Sequence, residues 1–219
     1  MNESVQDRRS LFLLVSLLFY LVFSAFVTRD RAGELALALA MYVILVAATL
    51  GSSAKRVWRW LAILLVACSM VVMLASILNP VHALQIANWL LLAVFFGFVS
   101  ARLFSYLGRP GSITSGRLYA SVSLYFMLGT FYYAIFNLIE TVYPGSFVEA
   151  VSRSAEIHHS SLLYLSLVTL TTLGYGDVLP ISPPARMLTA LEAATGVLYV
   201  AITVARLVAA YEGTSTERT

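Results

Sequence analysis

The chain reads as an all-α membrane protein of six transmembrane helices, with one further short helix that enters the bilayer and returns to the same side. Three observations predict this. Hydrophobic residues make up 60% of its 219 residues and charged ones 11%, with a mean hydropathy of +0.85, whereas a soluble domain carries about 25% charged residues. Six apolar runs approach the roughly 20 residues that a bilayer demands, and polar turns separate them. Between the fifth and sixth lies a run too short to cross, leading into Thr-Leu-Thr-Thr-Leu-Gly-Tyr-Gly-Asp at Thr169 to Asp177.

Met1 to Ser10 is polar, with Arg8 and Arg9 directly before the first apolar run, Leu11 to Val27. A charged start and an apolar middle also suit a secretory signal, but this run is long for one and no small-x-small cleavage site precedes Arg29. It is read as the first spanning helix. Leu35 to Leu50, Val57 to Leu78 and Val81 to Leu103 are the next three, divided by turns at Thr28 to Glu34 with Gly33, at Gly51 to Arg56, and at Asn79-Pro80. The Gly108-Arg109-Pro110-Gly111-Ser112 stretch is a hinge of glycine and proline and marks the main boundary. A fifth helix, rich in Tyr and Phe, follows from Leu118 to about Thr141 and ends at Tyr143-Pro144-Gly145.

Ser146 to His159 is a polar segment, after which Ser160 or Ser161 is expected to cap a short helix reaching Thr171. Its length makes it re-entrant. The two glycines at 174 and 176 let the backbone leave the right-handed and extended regions, so that successive carbonyls can turn toward one line. At membrane depth such backbone survives only where it is buried in protein or lines a watery cavity. Leu179-Pro180 and Ser182-Pro183-Pro184 return the chain to the surface, and a sixth helix runs from Arg186 to about Tyr211.

Charge supplies an independent check on this layout. With the N-terminus cytoplasmic, the inner side holds Arg8, Arg9, Lys55, Arg56, Arg59, Arg102, Arg109, Arg117, Arg206 and Arg218, and the outer side only Arg29, Arg31, Arg153 and Arg186. This bias follows the positive-inside tendency and places both termini in the cytoplasm of a multi-pass cell-membrane protein. A sequence pI near 9.1 does not imply nucleic acid, because the basic residues sit in short clusters between apolar runs. Cys68 is the only cysteine and lies in an apolar run, so no disulfide within the chain and no metal cluster is expected.

The Thr169 to Asp177 stretch resembles the selectivity filter of the potassium channel family, here Thr172, Leu173, Gly174, Tyr175, Gly176 and Asp177. The resemblance covers about Leu118 to Tyr211. It implies a homotetrameric pore in which each chain contributes the carbonyls of Thr172 to Tyr175, with the Thr172 hydroxyl completing the innermost K+ site. Potassium would be the permeant ion, exchanging water oxygens for carbonyl oxygens, and no cofactor is implied. The short helix would aim its C-terminal end, with partial negative charge, toward a central cavity, and Asp177 would stand at the outer mouth. Glu140, Glu149 and Glu156 read either as a solvated face or as groups that concentrate cations there.

The resemblance further implies filter support from Tyr164, Thr169, Thr171 and Glu192, a gating hinge at Gly196, and an inner passage lined by Val197, Val200, Val204 and Val208. Against packing alone, the hinge role of Gly196 stays open. Several positions depart from the family pattern. Leu173 replaces the usual Val and is expected to pack behind the filter; Tyr164 and Leu165 stand where many members carry two bracing tryptophans; Val168 occupies a position where some place a carboxylate. These departures predict a loosely braced filter that itself gates. Glu192, an ionisable group within the sixth helix, is expected to face Ser166, Thr169 or a neighbouring chain rather than lipid.

On the same reading, residues 1–107 form a four-helix domain resembling a voltage sensor without its arginine ladder, 108–117 a cytoplasmic linker, 118–211 the pore domain and 212–219 a short tail. Val81 to Ala101 contains no Arg or Lys. One charge crossing the whole field yields only about 2.3 kcal/mol per 100 mV, so Arg102 at the rim predicts voltage insensitivity or weak sensitivity. Arg109 and Arg117 lie close enough to the membrane for anionic lipid, besides serving as ordinary orientation charges.

Rival readings remain on the sequence alone. A weakly selective cation channel would follow if Leu173 loosened the filter. A potassium-uptake subunit would carry four degenerate filters in one chain, and this chain carries one. A hydrolase or metalloprotein built on His158-His159 lacks any acid at a fixed offset and any Gly-x-Ser-x-Gly, so no enzyme is expected. The histidine pair reads as an exposed outer segment able to sense outer pH.

Overall fold

The structure is a computed structural model that describes residues 3–26, 39–44, 46, 56–79, 81–108, 114–150 and 157–216, with backbone alone for 3–6, 56 and 207–216. Helix α1 spans Glu3–Phe26, α2 Arg56–Leu78, α3 His82–Leu107 and α4 Ser115–Val142. Strand β1 (Phe147–Glu149), helix α5 (His159–Leu170), strand β2 (Val178–Pro180) and helix α6 (Pro183–Thr216) complete the order. Among the described residues five helices are long and apolar enough to cross a membrane, within α1, α2, α3, α4 and α6. Of the second apolar run, Leu35 to Leu50, only residues 39–44 and 46 are described, and they are helical. The turns at Thr28 to Glu34 and Gly51 to Lys55, the hinge from Arg109 to Gly111 with Ser112, and Arg153, Glu156 and Arg218 lie outside the described residues.

Helix α4 is the centre of the molecule. It packs against α1, α3, α5 and α6, while α2 reaches the bundle through α3. The reason lies in its composition: Met127, Ala134 and Phe136 are completely buried, and so are Ser123 and Thr130, whose hydroxyls bond to carbonyls of their own helix. Polar side chains satisfied in this way cost little inside a packed bundle. Leu17 on α1 and Phe96 on α3 are buried against the same core.

Helix ends follow capping chemistry, and they shift several expected boundaries. α4 starts at Ser115 rather than Leu118, because the Thr114 side chain accepts from the Arg117 amide at 3.4 Å. α6 starts at Pro183 rather than Arg186. Ser182 accepts the Ala185 amide on its hydroxyl and the Arg186 amide on its carbonyl, and Pro183 and Pro184 occupy the first turn, where no amide hydrogen is needed. α5 runs from His159 to Leu170 with His158 at its N-cap and no capping side chain, which corrects the expected cap at Ser160 or Ser161. The Ser161 hydroxyl is instead committed to the Glu149 carboxylate.

The all-helical expectation also misses a small sheet. β1 and β2 pair antiparallel, with Phe147 opposite Pro180, Val148 opposite Leu179 and Glu149 opposite Val178. Phe147 is fully buried, its ring 5.2 Å from that of Phe136, so the sheet is pinned to the end of α4. Strands of three residues are too short for alternation to be read from sequence. Phe136→Ala should remove this anchor from a site with no solvent exposure, costing about 3–5 kcal/mol. A clear fall in the melting temperature of the detergent-solubilised protein is the expected reading; an unchanged one would show that the sheet is held elsewhere.

Candidate functional site

Thr171 to Gly176 is the longest described stretch between α4 and α6 that is exposed throughout and neither helix nor strand. Thr172, Gly174 and Gly176 have φ of 58, 55 and 75 degrees, and Leu173 and Tyr175 between them do not share the positive sign. Glycine takes such values freely, while Thr172 takes them against the steric preference of an L side chain. Alternating hands turn successive peptide planes to a common side, unlike the alternation of a strand. Held in this form, the stretch can present a file of carbonyl oxygens.

What holds it is the end of α5. Each of the last four carbonyls of that helix has a donor, although helix ends leave them without intrahelical partners. The Leu167 oxygen receives the Thr171 amide at 3.0 Å and the Thr171 hydroxyl at 2.8 Å. Val168 receives the amides of Leu173 at 2.9 Å and Gly174 at 3.4 Å. Thr169 receives the Thr172 amide at 2.9 Å, and Leu170 the Tyr125 hydroxyl at 3.1 Å. The carbonyls at this helix end thus shape the turn that follows.

The far limb is held at its outer end. The Tyr164 hydroxyl donates to Asp177 Oδ2 at 2.7 Å, the Val178 amide to Asp177 Oδ1 at 3.1 Å, and the Ala150 amide to the Asp177 carbonyl at 2.7 Å. The carboxylate pushes the Tyr164 hydroxyl up to about 12, with partial desolvation adding to the effect, so the phenol keeps its proton and goes on donating. Beside this brace Leu165 is buried, at 5% exposure. A tryptophan at Leu165 would overpack a filled position, so bracing is better probed at Tyr164. Leu173, expected to pack behind the stretch, is instead 56% exposed, with nothing among the described residues burying it.

Two expectations for the outer segment change. Glu140 is not a solvated face: its two oxygens accept the amides of Gly145 at 2.7 Å and Phe147 at 3.1 Å and so tie the turn after α4. Glu149 accepts from Ser161. Nor is His159 simply an exposed partner of His158, since its Nδ1 is hydrogen-bonded to the buried Asn137 side-chain oxygen and its ring lies 5.1 Å from that of Trp89.

On α6 the predicted residues divide between two faces. Gly196 lies against the end of α5, where an added Cβ would collide with the Leu170 carbonyl oxygen and sit 2.9 Å from its carbon. Glu192, fully buried, lies on the same side with Oε1 2.5 Å from the Ser166 hydroxyl; that hydroxyl is also 2.7 Å from the Gly129 carbonyl, and Glu192 Oε2 has no hydrogen-bond partner among the described residues. Tyr132 bonds to Thr195 at 3.0 Å and Tyr199 to the Ser121 carbonyl at 2.6 Å, fastening α6 to α4. Val197, Val200 and Val204 point the other way, each at least 50% exposed, and the Val208 side chain lies outside the described residues. Lower down, Arg206 Nη1 donates to the Leu107 carbonyl at the end of α3, at 3.2 Å. Of the partners expected for Glu192, the structure supplies Ser166; Tyr125, Tyr132, Tyr199 and this use of Arg206 were not singled out by sequence reasoning, and for the first two the abundance of Tyr in the fifth run was the available signal.

Residues 120–212 match the family model described as "Ion channel". Over 71 residues the chain is 37% identical to the inward rectifier potassium channel Kirbac3.1 of Paramagnetospirillum magnetotacticum, an alignment covering 32% of this chain and 20% of that protein. The chain thus spans about a fifth of that relative's length. No solved structure matches. The family match falls on the part of the chain that holds the loop, and the two comparisons point to an ion channel and not to an enzyme.

Gly196→Ala should push α6 off the end of α5 and lower thermal stability clearly, as backbone-against-backbone contacts cannot yield by a rotamer change. Melting of the purified protein checks this, and wild-type stability would favour a hinge that needs only flexibility there.

Proposed function

We propose that the chain is a subunit of a homotetrameric potassium-selective channel that conducts K+ passively across the cell membrane. One observation carries this reading: irregular backbone of alternating hand, Thr172 to Gly176, stands exposed on a short helix between two spanning helices. At membrane depth such backbone must face protein or water. The described residues of a single chain leave it uncovered, so copies arranged about an axis would both cover it and let it line a water-filled path. Carbonyls from Thr172 to Tyr175, with the Thr172 hydroxyl, would replace the hydration shell of potassium, and Asp177 would mark the outer mouth. Tyr164, Thr169 and Thr171 support this file from behind. Val197, Val200, Val204 and Val208 would line an apolar inner passage able to close by dewetting, and Gly196 marks where α6 would pivot against α5.

Residues 1–107 then form a scaffold with no ladder of arginines, 108–117 the cytoplasmic linker, 118–211 the pore domain and 212–219 the tail, with both termini cytoplasmic. Arg102 stacks on Trp58 at 5.2 Å, an anchored position ill suited to moving through the field, which supports weak or absent voltage dependence. Arg109 and Arg117 would meet anionic lipid at the inner surface. A second reading, a weakly selective cation channel, is favoured by the exposure of Leu173, and a potassium-uptake subunit would need four such loops around one axis.

Purified protein in a planar bilayer, under a potassium gradient against sodium and stepped in voltage, tests the reading. A reversal near the potassium equilibrium value with open probability nearly independent of voltage is expected. Reversal near zero would replace potassium selectivity with nonselective cation conduction, and steep voltage activation would overturn the scaffold role of the first helices. Tyr164→Phe, which removes the bond to Asp177, should shorten open dwell times in single-channel records, and unchanged dwell times would exclude this brace from gating.

A further inference from the structure

The contact among Glu192, Ser166 and Gly129 has one hydrogen too few if the carboxyl is ionised. Ser166 carries one hydroxyl hydrogen. Its oxygen lies 2.7 Å from the Gly129 carbonyl, which can only accept, and 2.5 Å from Glu192 Oε1, which as a carboxylate can also only accept. Both short approaches become full hydrogen bonds when Ser166 donates to Gly129 and Glu192 supplies the second hydrogen. The other oxygen gives the same answer independently. Oε2 is buried without a partner, and no cation is bonded to the carboxyl among the described residues; an uncompensated buried charge is far costlier than a neutral acid with one idle carbonyl.

We infer that Glu192 is a protonated carboxylic acid that donates to Ser166, forming a chain of hydrogen bonds, Glu192 to Ser166 to the Gly129 carbonyl, that locks α6, α5 and α4 together behind the Thr172 to Gly176 stretch. Glu192 is thereby a positioning residue. It touches no ion, and acts by holding α5, whose terminal carbonyls shape the loop. The lock lies about one helical turn from the Gly196 contact on the same face of α6, so the two fix the crossing of α6 over α5 together. The link to conduction rests on the potassium-channel reading, whereas the proton on Glu192 does not.

Infrared difference spectroscopy of the purified full chain at neutral pH, wild type against Glu192→Gln, tests the proton directly. A carboxylic-acid carbonyl band that disappears in the variant is expected; loss of carboxylate bands instead would overturn the inference. Where Glu192→Gln fails to fold, Ser166→Ala serves, and the acid band should shift because its acceptor is gone, an unshifted band being the contrary result. Potassium flux in liposomes tests the positioning role: Glu192→Gln, which still donates through its amide, should keep the flux that Glu192→Leu loses. Equal flux in the two variants would remove that role while leaving the infrared result, and with it the proton, to stand or fall separately.

Discussion

A peptide group that leaves helical geometry inside a bilayer has no water to turn to, and this constraint organises the second half of the chain. The departure begins at Thr171, and the carbonyls of α5 absorb it, Val168 alone receiving two amides from the stretch beyond. At the other end Asp177 takes three donors, from Tyr164, Ala150 and its own neighbour Val178. Between these fixed ends the backbone can hold its alternating hand and still expose its oxygens. The strain at Thr172, whose φ is positive without being glycine, persists because both flanks are tied.

Those ties depend in turn on α4. Its tyrosines act as struts, with Tyr125 reaching the Leu170 carbonyl at the end of α5, and Tyr132 bonding to Thr195 on α6. Tyr199 returns the contact from α6 to the Ser121 carbonyl. A phenol suits this work because its ring fills space while its hydroxyl meets a polar group at the far edge. The small sheet extends the scaffold outward, carrying Phe147 back onto Phe136 and setting where β2 resumes after Asp177. The first helices pack on this frame, with α1 and α3 each against α4 and Arg206 joining α6 to the end of α3.

The packing also explains the uneven exposure of α6. Its Glu192, Thr195, Gly196 and Tyr199 side meets α4 and α5, while Val197, Val200 and Val204 stand exposed together with the loop. An apolar face and an irregular backbone left open on one chain point toward neighbours, which accords with the proposed assembly around an axis.

Spanning helices were legible because a bilayer demands long apolar runs, and those runs stand out in composition; the described spans fall on the runs expected, with ends displaced by caps such as Thr114 and Ser182. The loop was legible for a similar reason, since Gly174 and Gly176 announce left-handed backbone in a place where little else permits it. Most partners separated along the chain were not. Ser166 was an expected partner of Glu192 because an ionisable group in a spanning helix needs one, but nothing in the spacing of Tyr125 and Leu170 or of His159 and Asn137 says that they meet, because each pair is brought together by the crossing of different helices. Glu140 and Glu149 looked like surface charge, and only the fold assigned them amides and a hydroxyl to hold. The sequence by itself determined where the chain crosses and where its backbone breaks, through local rules of hydrophobic length and glycine freedom; the tertiary structure decided what braces that break, because hydrogen bonds between helices depend on three-dimensional proximity that no local pattern encodes.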